Sequence, residues 1–327
     1  TLSSSSAASD VYKRQGYAAT ITGNCASNGQ VTLNIGDVKA CTITNNDIQP
    51  KLYVKKVVVN DNGGTATAAS FTMSVTGNSP SPSSFPGSSV GDGTLVTLNA
   101  GSYSVSETGP AGYAATYSTD CSGSIAIGQT KYCTVTNDDI SPRLKLIKTV
   151  VNNNGGTLTV ANFPLFIDGN SVTSGAWNNV NPGTHTASET QQTGYAASAW
   201  GGDCNAAGSV TLALADEKTC TITNDDISPQ LTVIKHVINN NGGTKVASDF
   251  TMQVTGTNVQ PSSSFPGAES PGTTVTLNAG SFSVDEAAMA GYSKSFSGDC
   301  SGTIALGQTK TCTITNDDIS PQLTVIK

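Results

Sequence analysis

The sequence predicts an all-β protein made of tandem β-sandwich repeats of about 90 residues. The segment CTITNDDISPQLTVIK occurs twice, at 220–235 and 312–327, and looser copies lie at 41–56 and 133–148. Apolar and polar residues alternate between turns rich in Asn, Gly and Pro, and no stretch has sustained helical periodicity. A unit of this length is too long for a solenoid repeat, so we expect separate beads on a string.

The copies of this segment also define the repeat boundaries. We expect three complete repeats, at 49–140, 141–227 and 228–319. Residues 16–48 match only the C-terminal part of a repeat, and residues 320–327 match only its first strand. Residues 1–15 match nothing later in the chain and contain DVYKRQ, which resembles a translated sequencing adapter, so we set them aside as non-native. We expect a longer protein whose secretion signal and anchor lie outside this chain.

Each complete repeat opens with an alternating strand that carries a lysine among its apolar positions. Residues two apart in a strand share a face. Leu52, Val54 and Lys56 therefore share one face in the first repeat, and Lys148 and Lys235 occupy the same place in the others. We expect these lysines to point into the core.

Two later strands bring further polar residues to the same interior. A middle strand groups Tyr103, Val105 and Glu107, with Glu189 and Glu286 as the equivalents of the glutamate. The last strand adds an inward asparagine to each repeat: Asn137, Asn224 and Asn316. Every complete repeat is thus expected to direct one Lys, one Glu and one Asn toward its core.

Burying these three groups together requires a chemical reason, because isolated charges are costly to bury. Burial lowers the pKa of a lysine and raises that of a glutamate, which makes a neutral amine and a protonated acid accessible near neutral pH. The amine is then a nucleophile toward the asparagine carboxamide, and the acid can polarise the amide and carry protons to the departing ammonia. The product would be a Lys–Asn isopeptide bond between the first and last strands.

Two other interpretations of these residues stay open at this point. The lysine and glutamate could form a buried ion pair that hydrogen-bonds the asparagine without covalent chemistry. A register slip of one residue would reverse every face and leave all three groups exposed at an edge. No nucleophile–base constellation recurs, so we expect no enzyme activity beyond this intramolecular cross-linking.

Eight cysteines divide two to a unit. We expect disulfides that close the last hairpin of each unit: Cys25–Cys41, Cys121–Cys133, Cys204–Cys220 and Cys300–Cys312. A loop of this length contributes roughly 3 kcal/mol in the loop-entropy model. Two cysteines with at most one histidine supply too few ligands for structural zinc. Disulfides indicate an oxidising compartment, so we expect an extracellular or cell-surface location.

Acid and amide clusters follow the first strand and end the last one. Their oxygen atoms suit calcium, and we name as candidates Asp61, Asp138, Asp139, Asp225 and Asp226. The same residue types are frequent in plain turns, and the spacing is not that of an EF-hand. We expect no other cofactor.

Three motifs together resemble the Cna B-type, or SpaA-like, prealbumin-fold domains of bacterial surface proteins and pilins. They are the strand LTVIK, an E-x-x-x-x-G-Y element and a terminal T-N strand; the second motif occurs at 107–113, 189–195 and 286–292. The resemblance implies an Ig-like, prealbumin-like sandwich with three cross-link triads: Lys56–Glu107–Asn137, Lys148–Glu189–Asn224 and Lys235–Glu286–Asn316. It also implies that Asn45 is an acceptor in the partial first unit and that Lys327 is a donor.

These observations lead to a structural function as the first hypothesis. We expect a stalk or spacer of an exported adhesin-type or filamentous protein, in which the partners of each repeat are other repeats of the chain. The alternative is an adhesion module that binds a host or matrix ligand through variable loops such as 76–94 and 168–180. Only 12% of the residues are charged and the net charge is −7, which argues against nucleic acid or an anionic membrane as a partner. No apolar run approaches the roughly 20 residues that span a bilayer.

Overall fold

A computed structural model describes residues 16–327 of the chain. The segment 1–15, set aside above as non-native, lies outside the described residues. The described chain is all-β, which confirms the predicted fold class. Its contacts form two compact units: the first runs to Pro142 and includes 179–183 and 212–216, and the second holds the rest. Among the described residues, no helix is long and apolar enough to cross a membrane.

The first complete repeat is a sandwich of two four-stranded sheets. Its strands are β3 (Lys51–Val59), β4 (Thr72–Thr76), β5 (Ser84–Pro86), β6 (Thr94–Thr97), β7 (Gly101–Thr108), β8 (Tyr113–Tyr117), β9 (Ser122–Ile125) and β10 (Thr130–Asp139). One sheet has the order β6-β3-β10-β8, and the other has the order β5-β4-β7-β9. Alternate residues such as Leu52, Met73, Val105 and Val135 fill the space between the sheets. A shorter hairpin precedes this repeat, formed by β1 (Tyr17–Gly23) and β2 (Cys41–Asp47).

The second and third repeats follow the same plan. The second contains β11 (Arg143–Val151), β12 (Leu165–Ile167), β13 (Asn170–Val172), β14 (Trp177–Asn179), β15 (Gly183–Glu189), β16 (Tyr195–Ala197), β17 (Gly201–Gly202), β18 (Ser209–Leu212) and β19 (Glu217–Asp226). The third contains β20 (Gln230–Ile238), β21 (Thr251–Thr255), β22 (Ser264–Pro266), β23 (Thr273–Thr276), β24 (Gly280–Glu286), β25 (Tyr292–Gly298), β26 (Ser301–Ile304) and β27 (Thr309–Asp318). Short 3-10 turns lie at Ala68–Ser70, Thr119–Cys121, Val160–Asn162 and Ala247–Asp249.

The first and last strands of each complete repeat lie side by side and run parallel. Lys56 on β3 is opposite Val135 on β10. The same register recurs in the pairs β11–β19 and β20–β27. The carboxyl ends of the two strands therefore meet at one edge of the sheet. Residues 320–327 repeat the sequence of a first strand but form no strand.

All four disulfides pair as expected from the sequence. The Cys25–Cys41 bond closes the β1–β2 hairpin as expected, but the complete repeats differ from the expected simple hairpin. In the first repeat β8 and β10 do pair, but the chain between them leaves their sheet as β9, which pairs with β7 in the opposite sheet. Burial explains the crossing, because it places Ile125 in the core. The bond from Cys121 to Cys133 thus spans the place where the chain changes sheet.

Backbone hydrogen bonds join the end of one repeat to the next. In the second unit the N–H of Ile227 donates to the carbonyl of Gly194 (2.9 Å), and the carbonyl of Ile227 accepts from the N–H of Gly307 (2.8 Å). Inside the first unit the same two bonds are made at Ile48 and Ile140. Each of these joints is a bonded contact rather than a free linker.

Candidate functional site

The first repeat brings the predicted lysine, glutamate and asparagine into contact. Lys56 on β3 is fully buried, with a relative exposure of 0%. Its Nζ lies 2.7 Å from Oε2 of Glu107, which projects from β7 in the facing sheet. The same Nζ contacts Oδ1 of Asn137, two residues beyond its register partner on β10. The group therefore connects the first and last strands with the opposite sheet.

The second and third repeats contain the same groups with one difference. Lys148 contacts both Glu189 and Asn224. Lys235 lies 3.4 Å from Glu286, but its Nζ points to the backbone carbonyls of His236 and Ile314. Oδ1 of the buried Asn316 has no hydrogen-bond partner among the described residues. Rotation of the Lys235 side chain is thus needed to give the arrangement of the first two repeats.

An aromatic ring covers each lysine. Nζ of Lys56 lies 4.3 Å from the centre of the Phe71 ring, and Tyr113 packs edge-on against that ring. The second and third repeats repeat the stack with Phe163 and Tyr195 and with Phe250 and Tyr292. The predicted lysine, glutamate and asparagine groups did not include these aromatic residues. Their recurrence at fixed positions in every repeat was the available signal.

This environment alters the acid–base chemistry of the lysines. Burial lowers the pKa of Lys56, Lys148 and Lys235, and the neighbouring glutamate raises it by less. A lower pKa means that a larger fraction of each amine is neutral at a given pH. The neutral amine is the nucleophilic form.

Asp139 closes the edge at which the first and last strands end. Its Oδ1 accepts hydrogen bonds from the N–H groups of Asp61 and Asn62 (3.0 Å each), and its Oδ2 accepts from that of Gly64 (2.6 Å). Burial alone raises the pKa of Asp139, but these backbone donors outweigh it and lower the pKa. Two further carboxylates accept the equivalent three bonds: Asp226 and Asp318.

The calcium candidates lie beside this edge. Carboxylate oxygens of Asp61, Asp138 and Asp139 come within 4.8 Å of one another. In the second repeat Asp225 is exposed and Asp226 is buried, and an asparagine replaces the third acid. Backbone donors already use the oxygens of the buried aspartates, so the geometry adds nothing in favour of calcium. Calcium binding stays a prediction.

Comparison with known proteins assigns the three repeats to a family of domains. The model of the prealbumin-like fold domain SpaA_2 matches the chain at 47–138, 139–222 and 226–317. Among solved structures, the TIE protein of Bacillus anthracis is 14% identical, with a TM-score of 0.43 over 86% of this chain and 54% of its own. The pilus adhesin SpaC of Lactobacillus rhamnosus GG is 14% identical, with a TM-score of 0.31 over 88% and 46%. The major pilin subunit BcpA of Bacillus cereus is 12% identical, with a TM-score of 0.33 over 83% and 100%.

The chain spans about half the length of the first two of these structures. A search of curated proteins found no match. The family match confirms the prealbumin-like resemblance predicted from the sequence. With three tandem copies of the domain, the chain belongs to the SpaA_2 family of prealbumin-like fold domains.

Proposed function

We propose that this chain is a structural stalk of an exported cell-surface or filamentous protein, and that each complete repeat forms a Lys–Asn isopeptide bond beside its disulfide. The buried contact of Lys56 with both Glu107 and Asn137 is the observation that carries the proposal. The equivalent groups in the other two repeats support it. Burying a lysine with a glutamate and an asparagine costs free energy, and the chain does so at equivalent positions in three repeats. This recurrence favours a chemical role over chance.

The reaction starts with proton transfer from Lys56 to Glu107, which yields a neutral amine and a carboxylic acid. The amine attacks Cγ of Asn137, a new C–N bond forms, and the carbonyl electron pair moves to Oδ1. Glu107 gives its proton to the departing Nδ2 and receives one from the lysine nitrogen. The Cγ–Nδ2 bond breaks and ammonia leaves. One amide replaces another, so the step needs no oxidant, metal or cofactor.

The fold supplies the reactants in contact and excludes water from them. Lys56 and Asn137 come from adjacent strands, so their reaction is intramolecular and benefits from a high effective concentration. Phe71 covers the amine, and the low local polarity strengthens the interaction of Glu107 with the developing charges. Burial and position together favour amide exchange at these residues over hydrolysis.

Such a bond would suit a chain under tension. β3 and β10 run parallel, so force applied to the two ends of the repeat pulls them in opposite directions along their length. A bond from Lys56 to Asn137 carries that force directly between the strands. The residues between these two positions then bear no load.

The test is the intact mass of the purified full-length chain after complete reduction. We expect the mass to be lower than the sequence mass by three molecules of ammonia, one for each complete repeat. Glu107→Ala should reduce the loss from three ammonia molecules to two, because the first repeat then lacks its proton carrier. Glu217→Ala removes an exposed glutamate outside the triads and should leave the loss at three. An unshifted mass would contradict the isopeptide bonds and favour disulfide-locked modules that bind a ligand.

A further inference from the structure

The alternating pattern of the first and last strands leaves their relative register open. The inward residues of β3 include Leu52, Val54 and Lys56, and those of β10 include Val135 and Asn137. Sliding one strand by two residues keeps every apolar side chain on the buried face. Such a slip moves the lysine by about 6–7 Å along the strand. In one direction it sets Lys56 opposite Cys133, four residues from Asn137 and out of reach of its amide. In the other direction it carries the amine away from Glu107 in the facing sheet. Some other feature must select the productive register.

The edge contact at Asp139 is such a feature. The carboxylate lies on the buried face of β10, two residues after Asn137, and it accepts three backbone bonds from the turn that follows β3. Nδ2 of Asn62 in that turn also donates to the backbone carbonyl of Asp139 (3.0 Å). The turn is tightly built, because a Cβ at Gly64 would lie 2.3 Å from the hydroxyl of Tyr113. These bonds can form in one register only.

We propose that Asp139, Asp226 and Asp318 are positioning residues for the cross-link: each locks the first strand against the last in the register that brings the lysine to its asparagine. The chemical part of this inference rests on the proposed function. The three aspartates are buried to similar extents and make the same backbone bonds in each repeat. The hydrogen bonds of these aspartates go to the backbone of the turn and not to the lysine. Their role is therefore to place the reacting groups.

The first test follows the rate of bond formation in the full-length chain. The chain is synthesised in a cell-free system, samples are quenched in acid at intervals, and peptide mass mapping gives the cross-linked fraction of each repeat. Asp139→Asn should slow cross-linking in the first repeat by about tenfold or more, because misplacement of reacting groups is costly. The second and third repeats of the same molecule should keep their rates. Asp120→Asn changes an aspartate of the same repeat whose side chain is 42% exposed, and it should leave the rate unchanged.

The second test measures register without any chemistry. In a Glu107→Ala background, backbone nuclear Overhauser contacts between Lys56 and Val135 report the native pairing. Adding Asp139→Asn should weaken these contacts and create new ones from Lys56 to a residue two positions away on β10. Contacts between Val135 and Tyr117 check that the repeat is folded. If the Val135–Tyr117 contacts disappear, the measurement is repeated with Asn62→Ala in place of Asp139→Asn. This substitution removes only the side-chain donor to the backbone carbonyl of Asp139.

The two tests separate this inference from the proposed function. Unchanged Lys56–Val135 contacts in the aspartate variant, or an unchanged cross-linking rate in the first repeat, would overturn the positioning role. A wild-type chain that loses no ammonia would instead overturn the isopeptide proposal. The register measurement still decides the role of Asp139 in that case.

Discussion

A lysine that lies against a phenylalanine ring and beside a glutamate has few ways to stabilise its charge. Lys56 keeps one carboxylate, one amide oxygen and one aromatic face as neighbours, and it has no exposed surface. Burial makes the protonated form costly, while Glu107 and the ring of Phe71 compensate in part. The buried Lys56 side chain therefore depends on all three of these neighbours for its stability.

This balance predicts how stability depends on pH when the bond is blocked. In Asn137→Ala, Lys56 stays an amine whose pKa is lowered in the folded state, whereas the unfolded chain has the ordinary value of 10.5. Between these two values the unfolded state binds more protons, so the free energy of unfolding rises with pH. We expect the unfolding temperature of the first repeat to increase as the pH rises through the interval just below 10.5. Asn137→Ala with Lys56→Met should lack this increase, and equal slopes would argue against a lowered lysine pKa.

At the scale of strands, the disulfide of the first repeat spans the crossing of the chain from one sheet to the other. Cys121 precedes β9 and Cys133 lies within β10, so the bond limits the freedom of β9 in the unfolded chain. Replacing both cysteines with alanine should lower the opening free energy of β9 by about 3 kcal/mol. Amide hydrogen exchange at Ile125 should accelerate accordingly. The intact Cys300–Cys312 bond makes the third repeat an internal control, and unchanged exchange at Ile125 would contradict this role.

Local patterns predicted much of this arrangement. Alternation with period two was enough to direct Lys56, Glu107 and Asn137 inward, because each strand has one buried and one outer face. The position of Phe71 over the lysine amine was harder to predict, because it depends on how the two sheets face each other. The backbone bonds of Asp139 require knowledge that the first and last strands run parallel. The excursion of β9 was missed because two cysteines so close in sequence favour a simple hairpin.

At the scale of the whole molecule, the cross-links should limit how far the chain extends under force. Lys56 and Asn137 are 81 positions apart, and the disulfide bridges 12 of them. Releasing this segment would add on the order of 20 nm at about 3.4 Å per residue. Single-molecule stretching of the wild-type chain should show no such step, and Asn137→Ala should add one. Asn99→Ala changes an exposed asparagine and should behave as wild type. Steps of this size in the wild type would contradict isopeptide bonds that carry the applied force.

The joint at Ile227 has a consequence for how such a chain evolves. One backbone group of this residue bonds to its own repeat and the other bonds to the next, and both partners are glycines with a positive φ, Gly194 (+84°) and Gly307 (+68°). A duplicated repeat inserted at this point meets the same carbonyl, which accepts a hydrogen bond from a turn of the new repeat. The joint then forms without compensating substitutions. Unequal recombination within the gene can therefore lengthen or shorten the protein by whole repeats while every joint stays intact. Selection can therefore change the length of the protein by one domain at a time without altering the contacts between domains.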